Sequence, residues 1–438
     1  MSTATLPEPL ASQNDPSHAA HPSPLWHAFA DMSKVPETRV VLERGQGVWI
    51  WDTEGRRYLD STAGLWYCAL GWGREELAEA AAAQMRKLAT YSTFGDMTTN
   101  TTLELAERVA SLSPMPNTAV FLTSGGSESI DTAAKIVRRY WNVLGRPEKR
   151  VIVSRGMAYH GIAGFGTSIA GIPANREGYG PLIEDVHVVA ADSTQELEKL
   201  FAERGHEIAA FFGEPVRGAG GVYPPVAGYW PEVERLCRQY DVLLVCDEVI
   251  TGFGRLGAWF GSAHYGIQPD IITGAKAVTS GYQPLGVVLC NERVQEPFYS
   301  GKAGVLRHGY TYSGHATACA VGLRNLEIME TERVLERGAE AAKAMVELFE
   351  PLRRHSMVKQ VRTEGLLAGI EICEDARKRV PNVVDQVLWQ ARKNEVMTRN
   401  MLGHSLQFSP AFIITQEELR FYVERMLTSL DAVAARIA

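Results

Sequence analysis

The sequence has no cationic excess. Its 438 residues carry 44 Lys and Arg against 51 Asp and Glu, a net charge of −7, so no positive field is available to neutralise a nucleic-acid backbone. Long apolar runs are missing too. Stretches such as Val242 to Cys246 fall far below the ~18 to 20 residues a membrane-spanning helix needs. Cysteine is sparse: Cys68, Cys237, Cys246, Cys290, Cys319 and Cys373 include no Cys-x-x-Cys pair. That excludes a zinc ribbon or dithiol redox centre and predicts reduced, buried thiols in a soluble, cytoplasmic protein. The first two dozen residues have no apolar segment of a secretory signal but carry Pro7, Pro9, Pro16, Pro22 and Pro24. Residues 1–24 therefore read as a flexible tail. No internal repeat is visible.

What is present is a large apolar content, 45% of the chain, enough for two to three domains at roughly 150 residues each. From Phe121 to Asn291, short β-branched runs (AVFLTS, RVIVS, VHVVAA, IAAFFGEP, VLLVCDEV, DIITGA, PLGVVLC) alternate with helical stretches. Such alternation predicts an α/β fold with a mostly parallel sheet covered on both faces. Helical periodicity is plain over Ser129–Leu144 and Trp230–Tyr240. The last third changes character. Val334–Leu352 and Glu417–Ile437 read as long amphipathic helices, the second opened by the capping-box spacing Thr415-x-x-Glu418. Leu366–Ile372 and Phe412–Thr415 read as strands, giving a smaller α+β domain. Val40–Leu59 reads as a hairpin turning at Asp52–Gly55. The expected division is 25–70 as an amino-terminal segment packing with the small domain, 71–325 as the large domain and 326–438 as the small one.

Several residues could carry chemistry. Lys276 follows an apolar strand between Ala275 and Ala277, where its amine could enter a dry pocket and act as a nucleophile; by itself a lysine so placed is far more often a surface lysine in a loop. Asp247 ends a strand that looks fully buried, the place where open α/β sheets bind ligands. A carboxylate there could hold a ring nitrogen protonated, or simply cap a helix. In the Thr123–Lys135 run TSGGSESIDTAAK, Gly125 and Gly126 allow close backbone approach, and Ser127 with the helix-start N–H groups could hold a phosphate. Tyr159 and His160 follow another strand. Tyr159 could stack on a planar cofactor or belong to the core, and His160 has no acid or cysteine at metal-ligand spacing, so no metal site is expected.

These pieces occur in a familiar order. Lys276, the DEVITGFGR string, SGGSE, AYHG, EPVRGAGG and HGYTYSGHA resemble, in sequence and spacing, the class III aminotransferases, pyridoxal-phosphate enzymes of fold type I. The resemblance runs from about Leu25 to the end and is strongest to the ω-amino acid and amine:pyruvate transaminases. It implies an aspartate-aminotransferase-like fold, with a seven-stranded, mostly parallel sheet in the large domain, a small α+β domain, and a homodimer with shared active sites whose dimers could pair into tetramers. It further implies that Lys276 bonds covalently to pyridoxal 5'-phosphate and moves the proton, and that Asp247 pairs with the pyridinium nitrogen. Val249 and Tyr159 would flank the ring, with His160 beside it. Gly126 and Ser127 would hold the phosphate, with Gly125 and Tyr310 also binding the cofactor, Thr311 would reach the phosphate of the neighbouring subunit, and Glu214 would lie near the phenolic oxygen. Trp66, Phe94, Tyr159 and Ala219 would shape the substrate pocket. Arg399 matches a mobile arginine that binds a substrate carboxylate, with Arg217 as the alternative.

Three departures from the family pattern leave every catalytic group in place: Gly125 where a serine is common, Ala277 after the lysine and Ala316 after Gly-His. The expected activity is transfer of an amino group from an amine or ω-amino acid to pyruvate. The alternatives are another donor such as γ-aminobutyrate, β-alanine or a diamine, a glutamate-semialdehyde aminomutase, or a non-catalytic homologue.

Overall fold

The computed structural model describes residues 23–437; all but the last two residues of the expected flexible tail lie outside the described residues. After a single helical turn, Val35–Thr38, the described chain forms three short strands, β1 (Leu42–Gln46), β2 (Trp49–Asp52) and β3 (Arg57–Asp60). Seven strands of the main sheet follow: β4 (Ala119–Thr123), β5 (Val151–Arg155), β6 (Val186–Val189), β7 (Ile208–Gly213), β8 (Leu243–Asp247), β9 (Ile271–Gly274) and β10 (Gly286–Cys290). Their order across the sheet is β4-β10-β9-β8-β7-β5-β6. Only β10 runs against its neighbours; the remaining pairs are parallel. Every residue of β5 and of β7 to β10 is buried, which is why these strands read as unbroken apolar runs.

Beyond the main sheet lie β11 (Val358–Glu364), β12 (Leu367–Ile372), β13 (Val396–Met397), β14 (Asn400–Met401) and β15 (Ser405–Phe408). Four of them form a sheet in the order β11-β12-β15-β14. The fifth, β13, pairs in parallel with β3, Val396 opposite Leu59 and Met397 opposite Asp60. The carboxyl-terminal helix Gln416–Ile437 starts at the expected capping box. Glu418 N–H donates to the Thr415 hydroxyl at 3.2 Å, and the Glu418 carboxylate accepts from Thr415 N–H at 2.8 Å. No described helix is long and apolar enough to cross a membrane.

Four local readings are corrected. Phe412–Thr415 is not a strand but a turn: Pro410 precedes it, and Phe412 and Ile414 are apolar because they plug the core. The strand is β15 instead, whose alternating Ser405 and Gln407 are buried along with Leu406 and Phe408. The Val334–Leu352 helix stops at Leu348, and a separate turn Glu350–Arg353 follows with Pro351 at its start, where its missing N–H is harmless. The Val40–Leu59 segment holds three strands, with a second turn at Gly47 (φ +59°). The Ser129–Leu144 helix begins three residues earlier, at Gly126, so its first free N–H groups lie inside the glycine turn.

Candidate active site

The carboxyl ends of four neighbouring strands converge on one cavity of about 440 Å³. Asp247 closes β8, Lys276 follows β9, Tyr159 and His160 follow β5, and Glu214 follows β7. This is where an open α/β sheet leaves room for a ligand. Gly125, Gly126, Ser127 and Val249 line the same space, as do Trp66, Ala219 and Arg399.

Lys276 is the amine of the cavity. Burial lowers its pKa to about 8, although Asp247 and Glu214 favour its charge and Arg399 opposes it. An appreciable fraction is therefore neutral near pH 8 and able to act as nucleophile or base. Its Nζ lies 6.0 Å from the centre of the Trp66 ring, on which the Arg399 guanidinium also rests at 5.3 Å.

Asp247 is held from three sides. His160 Nδ1 donates to Oδ2 at 2.7 Å, and Val249 N–H and the Thr273 hydroxyl reach Oδ1 at 3.1 and 3.4 Å. Because a carboxylate only accepts, the proton of His160 sits on Nδ1. Glu214 is buried; it accepts from Tyr159 N–H at 2.9 Å and Gly218 N–H at 2.8 Å, and burial raises its pKa.

At the opposite end the helix Gly126–Val143 presents its first turn to the cavity. The packing is too tight for a side chain at two glycines: a Cβ on Gly126 would lie 2.7 Å from Val249 Cγ1, and one on Gly161 2.5 Å from Ser127 Oγ. Ser124 Oγ, His160 Nε2 and Trp66 Nε1 are buried without a partner, although buried polar groups are normally satisfied. An amine, a carboxylate and a helix start with a free hydroxyl, lining one cavity together with Val249 and Tyr159, fit a planar ring bearing an aldehyde, a basic nitrogen and a phosphate.

Three expected residues lie elsewhere. Phe94 is exposed, and a Cβ on Gly309 would sit 3.2 Å from its ring. Tyr310 donates its hydroxyl to Glu128 O at 3.2 Å, and Thr311 is exposed. They form a group of their own, joined by the Thr93 hydroxyl, which donates to Ser313 O at 3.1 Å. The alternative arginine, Arg217, is bound to both oxygens of Asp192 at 2.8 and 2.7 Å, away from the cavity. Sequence reasoning missed Ser124, Thr279, Gln283 and Phe29, all of which line the cavity. Ser124 could have been found as the hydroxyl directly before the glycine pair; Phe29 comes from a segment without periodicity and leaves no such signal.

Fold and site together define a pyridoxal-phosphate-dependent enzyme of fold type I. The family model for aminotransferase class-III matches residues 31–430, and the chain belongs to that family. Among its relatives is putrescine–pyruvate aminotransferase of Pseudomonas aeruginosa, 35% identical over 433 residues, covering 93% of this chain and 94% of the relative. Another is the diaminobutyrate–2-oxoglutarate transaminase of Halomonas elongata, 36% identical over 423 residues and covering 90% of each. Solved structures that resemble it include the (S)-enantioselective ω-transaminase of Thermomicrobium roseum, at 40% identity, TM-score 0.90, and 95% and 97% coverage of the two chains. The Pseudomonas jessenii ω-transaminase in complex with PMP matches at 34% identity, TM-score 0.90, and 94% and 97% coverage. The protein is thus an aminotransferase close to the ω-transaminases, acting on small-molecule amines and keto acids.

Proposed function

We propose that the protein transfers an amino group from an amine or ω-amino acid to pyruvate, in the cytoplasm and as a homodimer. The observation that carries this reading is the presence in one cavity of a buried lysine amine and an arginine with no carboxylate of the described residues paired to it. A keto acid brings the missing carboxylate. An uncharged donor can use the apolar surface of Trp66, Phe29 and Ile250 instead. The putrescine–pyruvate relative supports pyruvate as the acceptor.

Pyridoxal phosphate, when bound, supplies an electron sink that lets a carbon-bound proton leave. Lys276 would hold it through Nζ and, once released by the incoming amine, accept the departing proton at Nζ and return it two atoms along, on the other side of the transferred nitrogen. Asp247 would hold a proton on the ring nitrogen, with His160 fixing the carboxylate's orientation. Val249 and Tyr159 would flank the ring, and Glu214 would lie near its phenolic oxygen. Gly125, Gly126 and Ser127 would bind the phosphate through the free N–H groups of the helix start.

The dimer is supported by the group outside the cavity. Tyr91, Phe94 and Tyr312 are 50%, 52% and 65% exposed around Thr311, an apolar patch of the kind that marks an interface. Thr311 and Tyr310 of one copy would then serve the phosphate of the other. Six unpaired cysteines support a reducing compartment. A donor and acceptor panel on the purified holoprotein tests the reading. Steady turnover without any added keto acid would instead point to a mutase, and the absence of pyruvate-dependent turnover with every amine would refute it.

A further inference from the structure

The turn that carries Lys276 is strained at both ends. Lys276 has φ +48° and Ser280 φ +49°, the left-handed region where an L side chain crowds its own backbone. Between them Lys276–Thr279 make a single tight turn. Such strain persists only where the surroundings over-determine it.

Besides its own backbone bonds and the Thr279 hydroxyl, which donates to Gln283 O at 2.6 Å, the turn is bound at three residues by one side chain. Asn325 is fully buried in the middle of the helix Ala316–Thr331. Its Nδ2 donates to Ala277 O at 2.9 Å and to Val278 O at 3.0 Å, and its Oδ1 accepts from the Ser280 hydroxyl at 2.6 Å. Nδ2 also passes 3.4 Å from Met329 Sδ. Asparagine is a poor residue for a helix interior, and an amide sealed from water requires partners. The strained turn supplies them.

Ser280 extends the connection. Its Oγ accepts from Leu70 N–H at 3.2 Å, and at Gly281 a Cβ would fall 2.2 Å from Tyr67 Cδ2. Leu70 and Tyr67 belong to the segment that sets Trp66 in the cavity wall, where Ala63 and Trp66 are themselves left-handed, at φ +46° and +63°.

We infer that Asn325 is a positioning residue for Lys276, holding the strained turn so that Nζ enters the cavity, and that Ser280 passes the same constraint to the Trp66 wall. The inference rests on the proposed role of Lys276 as the residue that holds the cofactor. Asn325 itself does not line the cavity. The charged groups that bear on Nζ are Asp247, Glu214 and Arg399, and none of them is altered by the variants that follow.

Three substitutions separate the parts. Asn325→Leu removes all the bonds while keeping the branched shape of the side chain, at the cost of added volume. Asn325→Asp keeps an acceptor for Ser280 but turns a carboxylate toward two carbonyls, and Ser280→Ala cuts only the relay. Full-length holoproteins are treated with borohydride across about pH 6 to 10, and the fraction carrying reduced cofactor on Lys276 is read by peptide mass. Both Asn325 variants are expected to move the midpoint of that titration by about one pH unit and to lower kcat by roughly 10- to 100-fold, with KM for the keto acid within about threefold. Ser280→Ala should give a smaller shift. A wild-type midpoint and kcat in folded Asn325→Leu would overturn the inference. Should that variant not fold, an unchanged midpoint and kcat in Ser280→Ala would overturn it. Failure of the wild-type protein to trap cofactor on Lys276 would refute the underlying assignment instead.

Discussion

Replacing Asp247 by asparagine exchanges one oxygen for nitrogen and removes the charge that His160 faces at 2.7 Å. The hydrogen-bonded frame of Val249 and Thr273 around it remains, so the fold should survive while the ring nitrogen loses its counter-charge. Asp247→Asn is expected to lower kcat by orders of magnitude with an unchanged melting temperature, as read by steady-state kinetics beside thermal unfolding. Near wild-type turnover would remove Asp247 from the mechanism. Arg399 poses a different problem, because under the proposed function one pocket would have to accept a carboxylate in one half-reaction and an apolar group in the other. A guanidinium binds a carboxylate bidentately, worth about 1.5 to 3 kcal/mol, and burial already pushes its pKa down. Arg399→Ala should raise KM for pyruvate roughly 10- to 150-fold and leave an apolar amine nearly unaffected. Equal losses for both would show that Arg399 supports the wall without reading the carboxylate.

The sheet of β11, β12, β15 and β14 holds a glycine loop of the cavity through one arginine. Arg362 donates to Gly221 O at 2.8 Å, to Val222 O at 2.9 Å and to the Ser405 hydroxyl at 2.9 Å, and it pairs with Glu371, which also accepts from Lys359 at 3.0 Å and Gln360 at 2.9 Å. Burial alone would raise the Glu371 pKa, but the hydrogen bonds from Gln360, Lys359 and Arg362 outweigh it and hold it at about 2. A carboxylate depressed from its ordinary 4.5 stabilises the fold fully above that value, and the contribution is lost as the pH falls toward 2. It is worth roughly 3 kcal/mol. Glu371→Gln should therefore lower stability at neutral pH and flatten the loss on acidification, measured by urea unfolding at about pH 7 and pH 3.5; parallel curves for both proteins would place the acid-sensitive group elsewhere. The same sheet shows what the sequence could and could not disclose. The main-sheet strands were legible because burial on both faces leaves an unbroken apolar run, whereas β15 alternates serine and glutamine with leucine and phenylalanine and so resembles a half-exposed strand or a loop. Phe412–Thr415 has the composition of a strand, yet its burial comes from tertiary packing that local pattern does not encode. In the cavity, Lys276 and Asp247 were legible through the ordered set of motifs they belong to, since alone each would pass for a surface lysine or a helix cap. Phe29, Thr279 and Gln283 were not, since nothing in their neighbourhoods marks them.

For the molecule as a whole, the exposed group around Thr311 would link cofactor retention to assembly in the proposed dimer. If each copy supplies part of its neighbour's phosphate site, ligand binding and association must promote one another by mass action. Sedimentation of holo- and cofactor-stripped protein over falling concentration should show the stripped form dissociating first, by about 10-fold or more in concentration; identical curves would confine each site to a single chain. The pairing of β3 with β13 acts on a different timescale. Leu59 finds Val396 as its neighbour, and the Ser61 hydroxyl donates to Met397 O at 2.7 Å, just ahead of the segment that bears Trp66. On the ribosome that early segment must wait, with its partner unmade, until nearly the whole polypeptide has emerged. Contacts this remote along the chain form slowly, so a truncated translation product would carry the lysine and the carboxylate but lack the far wall, and would have no competent cavity to fill.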